Sequence, residues 1–126
     1  YLADLTGDGI ITDNSGLIPR NTPENTFGFT TSYTAQLGNG ELKGRVSYRF
    51  RDEMNSDSSN NPLGDLDSIE NVNATLSYSV DNYSITLWGR NLTDEREQRW
   101  ATIGGLTSRG WWNEPSTVGV TFNVSY

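Results

Sequence analysis

The sequence predicts an all-β fold made of antiparallel strands, and three observations lead to that prediction. Apolar and polar side chains alternate along five separate runs, and alternation of this kind places one class of side chain on each face of a strand. The connections between these runs alternate between short turns and long polar segments. Only 33% of the 126 residues are hydrophobic, and the net charge is −7, which fits strands that keep one face polar.

The first two predicted strands are 26–37 and 42–50. In TFGFTTSYTAQL, Thr31 is the one polar residue on the apolar face. In LKGRVSYRF and the arginine after it, the face opposite the apolar residues carries a basic stripe. The stripe consists of Lys43, Arg45, Arg49 and Arg51.

The other three predicted strands are 71–80, 83–92 and 116–126, with the sequences NVNATLSYSV, YSITLWGRNL and STVGVTFNVSY. The last run places its terminal aromatic residue, Tyr126, on the apolar face. A strand of about 9–11 residues is long enough to cross a bilayer when it is tilted. The five runs therefore have the length of membrane-spanning strands as well as the alternation.

The connections favour a transmembrane β-barrel over a soluble sheet. Gly38-Asn39-Gly40 and Asp81-Asn82 are turn sequences, whereas 52–68 and 93–115 are long and polar. Outer-membrane barrels have short periplasmic turns and long external loops. We therefore expect 1–25 to form an extracellular loop and 26–126 to form part of a barrel.

Aromatic residues near the strand ends agree with this prediction, since membrane barrels carry aromatic girdles at both interfaces. The residues concerned are Phe27, Phe50, Tyr78, Tyr83 and Tyr126. The alternative is that these rings form the core of a soluble, secreted β-sandwich that binds calcium and carbohydrate. A sandwich does not explain the alternating loop lengths or the aromatic terminus.

Composition also limits the chemistry. The chain has no cysteine and no histidine, so it has no thiolate zinc site and lacks the usual acid–base residue of neutral pH. The acids Asp94, Glu95 and Glu97 have no partner base, and a hydrolase barrel would need a nucleophile-and-base pair. We expect no enzyme, and the acidic charge argues against nucleic acid, which requires a basic surface.

Four stretches carry a family resemblance. The runs GRNLTDE (89–95) and EPSTVGVTFNVSY (114–126) resemble the C-terminal end of TonB-dependent receptors, and LIPRNTPENTFGFTTSY (17–33) and IENVNATLSYSV (69–80) resemble strands further upstream in that family. Ser116 follows Pro115 where the family commonly has an arginine. Because the chain begins at Tyr1 without an initiator methionine or signal peptide, we interpret it as the C-terminal piece of a longer protein.

The resemblance implies the last five or so strands of a 22-stranded barrel in the outer membrane of a Gram-negative bacterium. It implies import of a scarce nutrient such as a siderophore, vitamin or oligosaccharide. The partners it implies are the protein's own N-terminal plug with its TonB box, the TonB energising complex, outer-membrane lipid and the barrel-assembly machinery. A C-terminal assembly signal would comprise Phe122, Val124 and Tyr126.

The segment DLTGDGIITDNSG is similar to the start of a calcium-binding loop. The candidate ligands are Asp4, Thr6, Asp8, the carbonyl of Ile10, and Asp13. The twelfth position is Ser15 instead of a bidentate glutamate, so the donor set is incomplete. The alternative is a glycine-rich turn with solvated acids, and we expect no other cofactor.

Two groups of residues are candidates for binding a transported ligand. The last loop contains Trp100, Arg96, Arg99 and Arg109, and aromatic rings stack on sugars while arginines hold carboxylates. Trp111 and Trp112 are better explained as interface anchors. The basic stripe is the second group; it either attracts an anionic substrate or pairs with acids of the plug and of neighbouring strands.

Overall fold

The computed structural model describes residues 2–5, 7–104 and 107–126, and in 99–104 and 107–108 it describes the backbone only. Within these residues the chain forms strands and one short 3₁₀ helix, Pro62–Gly64. The strands are β1 (Leu2–Ala3), β2 (Thr12–Asp13), β3 (Thr26–Leu37), β4 (Gly40–Arg51), β5 (Met54–Asn55), β6 (Asp65–Leu66), β7 (Ile69–Val80), β8 (Tyr83–Arg90), β9 (Gln98–Gly104), β10 (Thr107–Trp112) and β11 (Thr117–Val124). In the described part of the chain, no helix has the length and apolar character needed to cross a membrane.

The five predicted strands form one sheet in the order β11-β8-β7-β4-β3. The order of these five strands across the sheet is the same as their order along the chain. The β7–β8 and β8–β11 pairs are antiparallel. The all-β, antiparallel prediction is therefore confirmed. The sheet is open, with β3 at one edge and β11 at the other.

The strand boundaries follow the predicted ones closely, with one informative difference. The first strand coincides with the predicted 26–37, and β7 begins two residues earlier than predicted. At the end of β8 the chain leaves the strand after Arg90, although the predicted strand extends to residue 92. The reason is Asn91, whose φ of 49° is a left-handed conformation that no strand accommodates.

The strand register confirms the predicted division into two faces. Directly opposite residues of an antiparallel pair point to the same side of the sheet. Two rows of the apolar face are Leu76–Leu87–Val120 and Tyr78–Ile85–Phe122, and the row between them is Ser77–Thr86–Thr121 on the polar face. The next row of the polar face is Thr75–Trp88–Gly119, so the rows across β7, β8 and β11 alternate between the two predicted faces.

The apolar face of the sheet is exposed. Val118, Val120 and Phe122 are 72%, 63% and 63% exposed, and Leu87 is 50% exposed. Phe27, Phe29 and Tyr48 form an aromatic cluster on this face, with ring centroids 5.6–6.2 Å apart. Among the described residues, the large apolar side chains of the sheet therefore lie mostly on an exposed face and not in a core.

The chain divides into two compact units. The sheet unit comprises 27–50, 69–96 and 114–126, and the loop unit comprises 1–26, 51–68 and 97–113. The loop unit contains three two-stranded pairs within the described residues, β1–β2, β5–β6 and β9–β10. The last long connection, predicted only as a loop, thus contains a β-hairpin.

Hydrogen bonds join the first two long segments of the loop unit and close the third on itself. Asn60 bridges to the first segment, because its side chain accepts from the amide of Ile18 (2.8 Å) and donates to the carbonyl of Ile18 (2.9 Å). In the third segment the backbone of Glu97 is paired with Asn113. Leu66 on β6 is 2% exposed and is the buried hydrophobic residue among the described residues of the loop unit, so polar contacts dominate this unit.

Candidate functional site

The motif GRNLTDE forms a turn whose centre is the buried side chain of Asn91. Asn91 is 5% exposed, and its Nδ2 donates to the carbonyl oxygens of Glu95 and Glu114, both at 3.0 Å. Its Oδ1 accepts from Nδ2 of Asn71 at 3.0 Å, and its backbone amide donates to Oδ1 of Asn73 at 2.9 Å. One amide side chain therefore joins the start of β7, the end of β8 and the segment that leads into β11.

The residues after Asn91 complete the same junction. The amide of Leu92 donates to the carbonyl of Val72 (2.8 Å), and Oγ1 of Thr93 donates to the carbonyl of Glu70 (2.8 Å). Asp94, with a positive φ of 52°, accepts a hydrogen bond from the amide of Ser116 at 2.9 Å. The motif thus sets the ends of three strands, which is a structural role.

A second cluster occupies the polar face of β8 and β11. The indole Nε1 of Trp88 donates to Oγ1 of Thr121 at 3.2 Å. Gly119 lies directly opposite Trp88, and a Cβ at this position would collide with the indole ring. The ring therefore lies against the backbone of β11 in a defined orientation, and the guanidinium carbon of Arg90 is 5.4 Å from its centroid.

This cluster lines a hollow of about 480 Å³ on the polar face. Asn73, Thr75 and Thr86 line it together with Trp88, Arg90 and Thr121. The hollow combines one aromatic ring, one cation and four neutral hydrogen-bonding side chains. Sequence reasoning placed Trp88 and Arg90 on the polar face but did not find the cluster, because the opposition of Trp88 and Gly119 depends on the β8–β11 register.

The predicted basic stripe is divided between the two units. Nζ of Lys43 pairs with Oε1 of Glu41 at 2.5 Å, and the side chains of Arg45 and Arg49 are on the exposed polar face of β4. Arg51 belongs to the loop unit, where its Nη2 donates to the carbonyl of Asp67 at 3.1 Å. The stripe is therefore not one continuous site.

Arg51 also makes a half-satisfied ion pair. Its Nε lies 3.9 Å from Oε1 of Glu97, and the two side chains are only 13% and 10% exposed. That Nε has no hydrogen-bond partner. An ion pair removed from water offsets its desolvation only where hydrogen bonds complete it, so we assign Arg51 a structural position and not a ligand-binding one.

The predicted calcium loop is closed by its own backbone. The carboxylate of Asp4 accepts from the amides of Gly7 (2.7 Å) and Gly9 (2.8 Å), and Asp8 accepts from the amide of Ile10 (2.9 Å). Hydrogen bonds from the side chain and then the backbone of Ser15 lower the pKa of Asp13. Thr6 lies outside the described residues, and within those residues no three acidic groups come together to hold a metal ion. The calcium site stays a prediction.

The other predicted ligand-binding residues belong to both units, and Trp100 on β9 lies directly opposite Trp111 on β10. Arg96 belongs to the sheet unit and Arg109 to the loop unit, and both are exposed, whereas the side chains of Arg99 and Trp100 lie outside the described residues. Trp111 and Trp112 are 68% and 59% exposed. Of the predicted assembly signal, Phe122 and Val124 lie on the apolar face of β11, and Tyr126 follows the end of that strand.

Comparison with known proteins adds no relative to this description. The chain matches no family model, and neither the curated proteins nor the solved structures give a significant match. The geometry of the sheet and its two faces is therefore the basis for assigning a function.

Proposed function

We propose that this chain is the C-terminal β-barrel segment of a TonB-dependent outer-membrane receptor that imports a scarce nutrient into a Gram-negative bacterium. In this proposal the apolar face of the sheet contacts lipid and the polar face lines the barrel interior. The segment has no catalytic role. The plug, the TonB energising complex and the barrel-assembly machinery are the partners that such a receptor requires.

The observation that supports the proposal most strongly is the exposed apolar face. Monomeric soluble proteins rarely expose a contiguous apolar patch of more than a few hundred Å², whereas here valine, leucine, isoleucine and aromatic side chains are exposed across the whole sheet. Contact with lipid fits this face because the opposite face is polar. The strands of membrane barrels alternate apolar side chains that face lipid with polar side chains that face the interior.

The length of the strands also supports contact between the apolar face and lipid. The strands β3, β4 and β7 each have 12 residues, which corresponds to about 40 Å at 3.3 Å per residue. With the 35–45° tilt of membrane barrels, such a strand spans about 30 Å, the thickness of the hydrocarbon core. A soluble sheet has no comparable reason to use strands of this length, since strands usually have about 5–6 residues.

The two open edges of the sheet support the proposal that this chain is a segment of a larger barrel. The strands β3 and β11 each present unpaired backbone groups at an edge of the sheet. Such groups are too costly to leave unpaired in lipid, so a membrane sheet must close on itself. Further strands of a longer chain would supply this closure, with β11 pairing to the first of them.

The β-sandwich remains the competing function, and the exposures argue against it. A sandwich buries one face of each sheet against the other, whereas Val118 and Tyr33 on the apolar face are both 72% exposed. No specific observation favours the sandwich, so the barrel is the function that the geometry supports best.

Quenching by brominated lipid tests the proposal directly. Tryptophan is introduced on the apolar face by Leu87→Trp and on the polar face by Thr86→Trp, in the full-length receptor reconstituted in vesicles. These neighbours on β8 lie at one depth but on opposite faces. We expect bromine on the acyl chains to quench the added fluorescence of Leu87→Trp and to leave that of Thr86→Trp unchanged, after subtraction of the signal from the native tryptophans.

Equal quenching of the two variants, or none in either, would contradict the lipid-facing assignment. Fractionation tests localisation separately. We expect a heat-modifiable band in the outer-membrane fraction that is lost when Tyr126 is deleted. A soluble, monomeric and cooperatively folded product without detergent would replace the barrel with the sandwich.

A further inference from the structure

We propose that the hollow on the polar face around Trp88 and Arg90 binds an acidic sugar, that is, a pyranose bearing a carboxylate. The evidence for this site comes from the geometry of the sheet unit alone. If the proposed function holds, the same site also indicates the class of nutrient that the receptor imports, and that second step rests on the proposed function.

The indole ring of Trp88 is held in place before any ligand arrives. Gly119 leaves room for the ring to lie against β11, and Thr121 fixes the indole nitrogen through a 3.2 Å hydrogen bond. Holding a binding group in its bound orientation reduces the entropy that association would otherwise cost. A flat apolar ring fixed on an otherwise polar surface is suited to the C–H face of a sugar.

The cation of the site is Arg90. Its guanidinium lies 5.4 Å from the centroid of the Trp88 ring, within the range of a cation–π interaction. The side chain is exposed, and among the described residues it makes no salt bridge. An arginine that is positioned by a ring and has no acidic partner is a receptor for a carboxylate, which it can bind through two parallel hydrogen bonds.

The remaining lining groups select a sugar over an aromatic acid. Thr121 accepts the indole N–H, so its own hydroxyl proton is available to donate, and Thr75 on the neighbouring strand presents a further hydroxyl. Asn73 adds an amide at the rim. Neutral groups that both donate and accept match the hydroxyls of a sugar, whereas an aromatic acid would leave them without partners at a cost.

Size and surroundings are consistent with this ligand. The hollow of about 480 Å³ lies within the roughly 300–1,000 Å³ of small-molecule sites. On the strands of the sheet unit, Lys43, Arg45, Arg49 and Arg90 lie on the polar face together with one acid, Glu41. In a chain with a net charge of −7, this face is locally basic and attracts anions.

Calorimetric titration of the full-length receptor in detergent tests the site, with trigalacturonate as the acidic probe and maltotriose as the neutral one. We expect trigalacturonate to bind at least about tenfold more tightly than maltotriose, and its affinity to fall as salt is raised. Arg90→Gln should weaken trigalacturonate binding by about ten- to a hundredfold, because a charge-assisted hydrogen bond is lost. Trp88→Leu should weaken the binding of both sugars.

The matched control is Arg20→Gln, which removes the same charge from an exposed position in the loop unit and should change the affinity less than twofold. Circular dichroism establishes that each variant is folded. Equal affinity for the two sugars, equal effects of Arg90→Gln and Arg20→Gln, or no binding by the unsubstituted protein would each overturn the acidic-sugar site. Lipid quenching would still report on the barrel, so the two proposals fail separately.

Discussion

The two units of this chain use their side chains in opposite ways. In the sheet unit, the apolar residues of β7, β8 and β11 lie in register on an exposed face. In the loop unit, Leu66 is buried, and asparagine, aspartate and serine side chains make hydrogen bonds within and between the segments. Polar contacts hold the loop unit, whereas the sheet unit presents an exposed apolar face, which the proposed function places against lipid.

This difference explains how so polar a sequence supports such a regular sheet. A soluble domain gains stability by burying apolar area from water, and the described residues of this chain bury few large apolar side chains. In lipid the requirement changes, because the backbone must be fully hydrogen-bonded and one face must be apolar. The sheet meets both requirements except at its two edges.

The largest expected effect on stability comes from a charge on the apolar face of the sheet unit. Leu76→Lys places a charge at the middle of β7 on the apolar face, and a mid-bilayer lysine costs about 2–4 kcal/mol of unfolding free energy in a membrane barrel. The adjacent Thr75→Lys, on the polar face, should cost less than about 1 kcal/mol because its charge stays solvated. Urea unfolding of the full-length receptor in lipid vesicles measures both; similar losses would show that the faces are not distinct environments.

The next effect concerns the junction inside the sheet unit. Asn91→Ala removes both donors to the carbonyls of Glu95 and Glu114, and buried groups left without partners should lower the unfolding free energy by about 2–3 kcal/mol. Asn91→Gly, which accepts the positive φ without strain, separates the loss of the side chain from backbone strain. As a matched control, Asn123→Ala removes only one exposed contact of 3.5 Å.

For the junction, the same urea measurement applies. We expect Asn91→Gly to remain clearly destabilised and Asn123→Ala to stay within about 0.5 kcal/mol of the unsubstituted protein. If Asn91→Gly were as stable as the unsubstituted chain, the side-chain bonds would not be what joins the three strand ends.

The smallest expected effect concerns the pKa of Asp57 in the loop unit. Hydrogen bonds from Ser59, its hydroxyl first, lower the pKa of Asp57 below its ordinary value of 3.8. A carboxyl with a lowered pKa in the folded state stabilises the fold above pH 3.8, and this contribution is lost as the pH falls through the folded-state pKa. Ser59→Ala should therefore raise the pKa of Asp57 and reduce the acid sensitivity of the loop unit.

An NMR titration of the Asp57 carboxyl measures this change. Ser58→Ala is the matched control, because Ser58 contributes its backbone and not its side chain to Asp57. An unchanged pKa in Ser59→Ala would mean that the hydroxyl does not stabilise the carboxylate.

Much of the sheet could be predicted because alternation is a local signal. Strand β3 begins and ends where the pattern predicted, and the turns at Gly38 and Asp81 have the positive φ values that their residue types allow. The end of β8 was predicted two residues too late, because Asn91 leaves the strand to make contacts with β7 and with the segment before β11. Residues distant in sequence supply those partners.

The candidate sites also differ in whether residue type or the fold identifies them. The Asp-rich start and the tryptophans of the last loop were found by residue type. The acids do not gather to hold a metal ion within the described residues, whereas the fold places Trp100 and Trp111 directly opposite each other in the β9–β10 pair. The hollow around Trp88 was missed by sequence reasoning, because its indole is fixed by Gly119 and Thr121, about thirty residues further along the chain.

Two kinds of information therefore account for this protein. The order of apolar and polar residues along the chain was enough to establish the strands, their faces and the alternation of short and long connections, because each of these depends on neighbours a few residues apart. Register, the junction at Asn91 and the fixed ring of Trp88 emerged only from the fold, because each depends on which strands lie side by side.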